Sequence, residues 1–467
     1  MQTSSQDIAA TATEFGISTR GAYNQLYMRG WSFFEQCLAT PWSPTTPDGV
    51  INLGVAENSL MHNQIVKFIE QNTQVDPISQ LTYGNGPRGS PRLQRALASF
   101  LNRKFSPLEP AKSDDIIVMA GVTPVIDALT WALCNEGEGI IIPQPYYTAF
   151  ATDIPGRARG VIIPATFQDI EGYKGFDDVF DAEMNVQALE TALSNAESKG
   201  VKAKGLMLVN PHNPLGRCYP PETIRAIAGF CQAHNLHLIS DEIYAQSIYN
   251  NPDATDVVPF TSALALDLPI DTQKLHVAYG ASKDFCANGL RLGMLHTRNR
   301  GLMGAMASNA MLGWPPYLVQ DIWAAMLEDT DYTDEFLGKN RELLGESYKV
   351  VTDFLREQGV GYYGNSNAGM FLWIDLRRHL VGKKEGGQPP ELRVGKLSPG
   401  DLEKYLEREQ HIWKVLGENK ILLAMGSVFA SEELGWFRMT FSASRPALEV
   451  GLERLKRVFD ALKRSQL

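Results

Sequence analysis

The sequence predicts an α/β protein: a large domain built on a mostly parallel β-sheet covered by helices, joined to a smaller α+β domain. Three observations predict it. Short, continuous apolar runs recur through the middle of the chain, each followed by a stretch with the periodicity of an amphipathic helix. Strands that are apolar at every position, rather than at alternate ones, belong to a sheet buried on both faces, which is the parallel, helix-covered kind. The 467 residues are 44% hydrophobic and 21% charged, which supports a large core and two or three domains.

The elements follow in order. Residues 1–20, rich in Ser, Thr, Ala and Gln, read as a loosely held N-terminal arm. A helix is expected over 93–101, after a turn-rich stretch that contains Tyr83. Ile116–Met119 then runs into Ala120-Gly121-Val122-Thr123, and a helical pattern continues to Leu133, so strand, turn and helix are expected there. Apolar runs at 139–143, 205–209, 236–240 and 275–279 repeat the unit. Beyond Asp331, helical stretches such as 342–358 lead to a strand at 369–375, a charged, Gly/Pro-rich surface loop at 382–400 and a final helix at 447–462. The expected division is an arm at 1–20, a small α+β domain from 21–75 and 331–467, and a large α/β domain at 76–330 inserted between its two parts.

A net charge of -10 argues against nucleic acid or an anionic membrane as partner, since both call for a clustered basic surface. The five cysteines are scattered and lack C-x-x-C spacing, which suggests neither a disulfide frame nor a zinc site. His234 and His237 are three apart, but one falls at a helix end and the other in a strand, so no metal site is expected. No stretch of about 18 apolar residues and no basic, apolar leader is present, so the expected location is cytoplasmic.

The chemistry points to Lys283, in Tyr279-Gly280-Ala281-Ser282-Lys283-Asp284-Phe285, with Arg291 further on. A lysine amine that is desolvated or set near other cations loses its proton more readily and becomes a nucleophile toward carbonyls. An arginine suits a phosphate because its planar fork donates paired hydrogen bonds. Upstream, Gly121, Val122 and Thr123 form a strand-to-helix turn whose free N–H groups suit an anion. Asp241 ends an apolar strand, where a buried carboxylate seeks a cationic partner.

Five separated motifs then decide the reading: Gly54-Val55-Ala56-Glu57-Asn58, the Tyr83 loop, Gln144-Pro145-Tyr146-Tyr147, Asn210-Pro211-His212-Asn213-Pro214 with Ser240-Asp241-Glu242-Ile243-Tyr244, and Gly435-Trp436-Phe437-Arg438. In this order, over roughly residues 20–460, they resemble pyridoxal 5′-phosphate (PLP)-dependent aminotransferases of fold type I, and within them the 1-aminocyclopropane-1-carboxylate (ACC) synthase-like branch. The resemblance implies a seven-stranded sheet in the large domain, PLP as cofactor and an amino-acid-like substrate. It implies that Lys283 anchors the cofactor and that Asp241 pairs with the ring nitrogen. Asn213 and Tyr244 would bond the ring's phenolic oxygen, and Tyr147 would stack on the ring. Gly121, Val122, Thr123, Ser282 and Arg291 would hold the phosphate, aided by Tyr83 from the other subunit of a homodimer. Glu57 would face the substrate, and Arg438 would hold its α-carboxylate. Two features depart from the pattern: Gly280 stands where the family has a serine, and the spacing from Tyr83 to Gly89 differs from that of plant ACC synthases.

The resemblance implies that Lys283, once free, takes the Cα proton. The leading expectation is a carbon–sulfur lyase, because the Glu57 loop and the Arg438 strand both match the ACC synthase-like branch; the run 282–291 is similar to fungal enzymes that cleave thioether conjugates. An aminotransferase is the alternative. A PLP-responsive DNA-binding regulator is disfavoured, since the segment before Gly21 is short and not basic, and a catalytically silent binding protein is disfavoured because Lys283 is present.

Overall fold

The computed structural model describes residues 4–29, 35, 38–381 and 391–464. The thirteen strands among the described residues are β1 Ile51–Asn52, β2 Ile116–Met119, β3 Gly139–Pro143, β4 Val161–Ala165, β5 Ala203–Val209, β6 His237–Asp241, β7 Leu275–Gly280, β8 Gly293–Thr297, β9 Gly361–Tyr362, β10 Phe371–Asp375, β11 Ile421–Leu422, β12 Ala424–Met425 and β13 Trp436–Thr440. Seven of them form one sheet in the order β2-β8-β7-β6-β5-β3-β4. All neighbours in it are parallel except at β8, which runs antiparallel to both β2 and β7.

All five expected strands of this sheet are present, with the fourth shifted by one so that Asp241 is its last residue. Two strands have no counterpart in the sequence reading. β4 contains Pro164, which an edge strand bonded on one side tolerates. β8 is short, opens with glycine and ends His-Thr, so its pattern carries little apolar signal; it is made a strand by the neighbours on either side.

A second, antiparallel sheet has the order β12-β13-β10-β9, and β1 pairs in parallel with β11, Ile51 opposite Ile421. The closing helix is Arg445–Arg464, and its buried Leu448, Leu452, Leu455, Val458, Phe459 and Leu462 trace a single stripe. The helix Thr330–Gln358 joins two cores: Phe336 and Leu337 pack with Phe285 and Trp323, whereas Leu344, Tyr348 and Val351 pack with Phe371 and Phe441.

Two local expectations change. Within the segment read as a loose arm, Ser5–Phe15 is a helix, because Ser4 caps its first turn and the segment is rich in helix-favouring residues. Of the loop expected at 382–400, residues 382–390 lie outside the described residues; Val394–Lys396 forms a 3-10 turn and the helix Pro399–Glu418 starts on the cap Ser398.

Candidate active site

The candidate residues gather beyond the carboxyl ends of the parallel strands, where side chains of several strands converge on one crevice. At the end of β2, Gly121 has φ 109° and precedes the helix Val122–Leu133, which no side chain caps. The first-turn N–H groups of Val122 and Thr123 are therefore open to an anion. Any Cβ on Gly121 would collide with the Arg291 guanidinium. Arg291 itself is exposed, in a left-handed backbone turn, and donates from Nη1 to Asn288 O at 2.8 Å. Helix end and guanidinium thus converge on one small space.

The departure at Gly280 has a steric explanation. Gly280 faces Gly293 across β7 and β8, and a Cβ at 280 would lie 2.7 Å from Leu292 O. Gly293 in turn packs so tightly under Gly121 that no side chain fits. Backbone against backbone fills the place where a serine would stand, leaving the buried Ser282 as the hydroxyl next to the lysine.

Asp241 is 5% exposed, and its Oδ1 accepts from Ile243 N at 3.2 Å. Burial pushes its carboxyl up to about 7, against the pull of that bond and of the Lys283 ammonium. Lys283, half-buried, donates from Nζ to Ala56 O at 2.6 Å. Its amine is brought down to about 8, first by burial and then by the Arg438 guanidinium, with Glu57 and Asp241 pulling the other way. Tyr147, pushed up to about 12 by burial, sits edge-on to Phe150 at 5.4 Å. Tyr244 is buried against Phe371 at 5.4 Å, and its phenol is raised by burial and lowered by Arg438.

Arg438, on β13, donates to Asn213 Oδ1 at 2.9 Å and to Gly54 O at 2.7 Å. Its guanidinium lies between the rings of Phe371, at 4.9 Å, and Phe429, at 4.7 Å. Arg438 Nε is buried without a partner among the described residues. Glu57 is exposed and accepts from Asn288 Nδ2 at 2.8 Å and Asn52 Nδ2 at 3.5 Å. Tyr83 stands apart, 83% exposed, with its ring edge-on to Trp314 at 6.2 Å.

His234 and His237 take separate partners: Glu190 for the first, at 2.8 Å, and His276 for the second, also at 2.8 Å. The sequence reading passed over Asp284, although a second charged residue between Lys283 and the apolar Phe285-Cys286-Ala287 was a usable signal. It is fully buried and accepts from Gln246 N at 2.9 Å, Ser247 Oγ at 2.6 Å and Tyr279 Oη at 2.9 Å, so it ties the Tyr244 turn to the lysine segment. Phe371, Phe429 and Asn288 left no such signal, because only the folded chain brings them to Arg438, Arg291 and Glu57.

These donors fit PLP in kind: an uncapped helix end and an arginine for a phosphate, a buried carboxyl for a ring nitrogen, and a lysine amine of lowered basicity for an aldehyde. Fold and donor set together define a class, the PLP-dependent enzymes of fold type I. Within that class the chain belongs to the aminotransferase class I and II family, whose model matches residues 48–455, and to its ACC synthase-like branch. The ACC synthase-like protein 1 of Bos taurus is 32% identical over 419 residues, covering 89% of this chain and 77% of the relative. ACC synthase 2 of Cucurbita pepo is 28% identical over 463 residues, covering 96% and 85%. Among solved structures, an aromatic aminotransferase from Pyrococcus horikoshii aligns with TM-score 0.69 and 21% identity, covering 92% of this chain and 99% of that one. Aspartate aminotransferase from Thermus thermophilus aligns with TM-score 0.67 and 19% identity, covering 95% and 99%. These two structures share the fold. The protein is thus a PLP-dependent enzyme, and an amino-acid-like substrate fits its family.

Proposed function

We propose that this enzyme is an ACC synthase-like carbon–sulfur lyase, acting at Cα of an amino-acid-like substrate and expelling a sulfur leaving group. In this reading Lys283 anchors PLP and, once released, takes the Cα proton, a role suited to an amine brought down to about 8. Bound PLP supplies an electron-withdrawing ring that stabilises the charge left on Cα. Asp241 holds a proton at the ring nitrogen, Asn213 and Tyr244 bond the phenolic oxygen, and Tyr147 packs on the ring face. Gly121, Val122, Thr123, Ser282 and Arg291 hold the phosphate, and Arg438 the substrate carboxylate.

One observation carries the lyase reading. Glu57 sits on the loop whose Ala56 carbonyl accepts the Lys283 amine, and Asn288 holds its carboxylate in place. A carboxylate beside the lysine gives the site a second group that can face the departing side chain while the lysine takes the Cα proton, and proton transfer by the lysine in a transamination makes no use of it. The relative at 28% identity is named an ACC synthase and the one at 32% an ACC synthase-like protein, in keeping with this. The second reading, an aminotransferase, is favoured by the description of the matching family. Incubation of the PLP-loaded protein with cysteine- and methionine-type thioethers separates the two. Released thiol supports lysis; a new amino acid formed from an added 2-oxo acid, with no thiol, supports transfer.

The same reading makes the enzyme a cytoplasmic homodimer in which the exposed Tyr83 reaches the partner's phosphate site, and keeps the division into an arm at 1–20, a small domain from 21–75 and 331–467, and a large domain at 76–330. The β1–β11 pairing of chain segments near 50 and 420 supports that division. Among the described residues no helix is long and apolar enough to cross a membrane.

A further inference from the structure

The helix Thr330–Gln358 buries Thr333, Phe336, Leu337, Asn340, Leu344, Ser347 and Tyr348 along one stripe, and Asn340 is a fully buried amide in the middle of it. Asparagine is a poor helix former, and a buried amide is costly unless bonded. An apolar residue of similar volume would pack here without either cost. What Asn340 does instead is bond to two distant segments. Its Oδ1 accepts from Asn58 Nδ2 at 2.9 Å, and its Nδ2 reaches the main-chain oxygen of Asp284 at 3.5 Å. Asn58 is two residues from Ala56, whose carbonyl receives the Lys283 amine; Asp284 is the residue after Lys283. The two segments meet at the lysine, and one side chain of the long helix spans both.

We propose that Asn340 is a positioning residue: through Asn58 it holds the Ala56–Glu57 loop over Lys283, and so controls how far water reaches the lysine amine. The inference deepens the proposed role of Lys283 and rests on it. Asn58 is itself fixed on its other side, since its Oδ1 accepts from Leu60 N at 3.0 Å, so the bond to Asn340 orients the whole turn. The next link is also bonded: Ser442 Oγ donates to Glu57 O at 2.6 Å. With the loop in place, the amine is surrounded by burial, by Arg438 and Arg291, and by the carboxylates of Glu57 and Asp241. When the loop lifts, the amine regains water and its proton is held more tightly.

The test uses the full-length, PLP-free protein and reads the lysine directly. PLP is added at a series of pH values, borohydride traps the adduct, and peptide mass spectrometry gives the rate of modification at Lys283. The parent should show a midpoint near 8. Asn340→Leu and Asn58→Ala should each raise it by about one pH unit, and the double variant should go no further than the larger single, because both break one link. Val351→Ala, a cavity in the same helix, should lower the melting temperature and leave the midpoint alone. Midpoints unchanged in both single variants, or an equal shift in Val351→Ala, would overturn the inference; if Asn340→Leu does not fold, Asn58→Ala decides alone. Failure to trap PLP at Lys283 in the parent would instead remove the proposed role of the lysine.

Discussion

Arg438 and Asn213, 225 positions apart, are joined by a 2.9 Å hydrogen bond from guanidinium to side-chain carbonyl. The bond links the antiparallel sheet to the carboxyl edge of the large one, and it leaves Arg438 Nε without a partner. An arginine sandwiched between two rings and bonded at both terminal nitrogens cannot swing aside, so it is preorganised for a carboxylate.

Arg438→Lys keeps the charge and loses the planar fork. The substrate KM should rise and kcat/KM fall by about 10²–10³-fold, the equivalent of one or two charge-assisted hydrogen bonds. The absorbance of bound PLP should be retained. Steady-state kinetics with a good amino-acid substrate checks this, and an unchanged KM would rule out the carboxylate role.

Lys283→Ala removes both the anchor and the base. Turnover should fall by at least about 10³-fold, and borohydride should no longer add cofactor mass to the protein. The fold should be kept, since the lost side chain is a half-buried amine bonded to one carbonyl. Residual labelling at another lysine with activity intact would contradict the assignment.

Restoring the family's serine with Gly280→Ser should harm this chain. The added Cβ would lie 2.7 Å from Leu292 O, against backbone that cannot move without parting β7 from β8. A loss of about 1–3 kcal/mol is expected, with weaker PLP binding as the Gly121 turn shifts. Thermal unfolding and a PLP titration measure both; a stabler variant that binds PLP more tightly would disprove the steric account.

Asp241→Asn should trade function for stability. The folded carboxyl lies at about 7, above its ordinary 3.8, so in the PLP-free protein it costs nothing only well below 3.8, where folded and unfolded states both keep the proton. The cost grows as pH rises toward 7 and is complete above it. The amide variant should therefore be more stable than the parent at pH 8, by at most about 4 kcal/mol, with the difference shrinking toward zero as the pH falls below 3.8. Its turnover should drop at least about a hundredfold, because a neutral amide cannot hold a proton at the ring nitrogen. Equal melting at pH 8 would show that the carboxyl is solvated or paired.

Much of this was legible along the chain because it is local. Apolar runs such as 116–119 and 139–143 read as strands because they are short, β-branched and bounded by turn residues, and Gly121 marks a turn because a non-glycine residue is strained at its φ. Asp284 and Asn340 were legible in principle, as polar residues inside apolar patterns. β8 was not, since its residues have little strand character and its pairing is supplied by β2 and β7.

By itself the sequence determined the α/β class, the family and the residue types able to hold a phosphate, a protonated ring and a carboxylate, because short-range periodicity and motif order carry that information. Only the tertiary structure decided that Ala56 meets Lys283, that Arg438 lies between Phe371 and Phe429, that Gly280 leaves no room for a side chain and that Asn340 reaches Asn58. Each of these joins residues far apart in the chain, and such contacts form only when separately folded layers pack and exclude water between them.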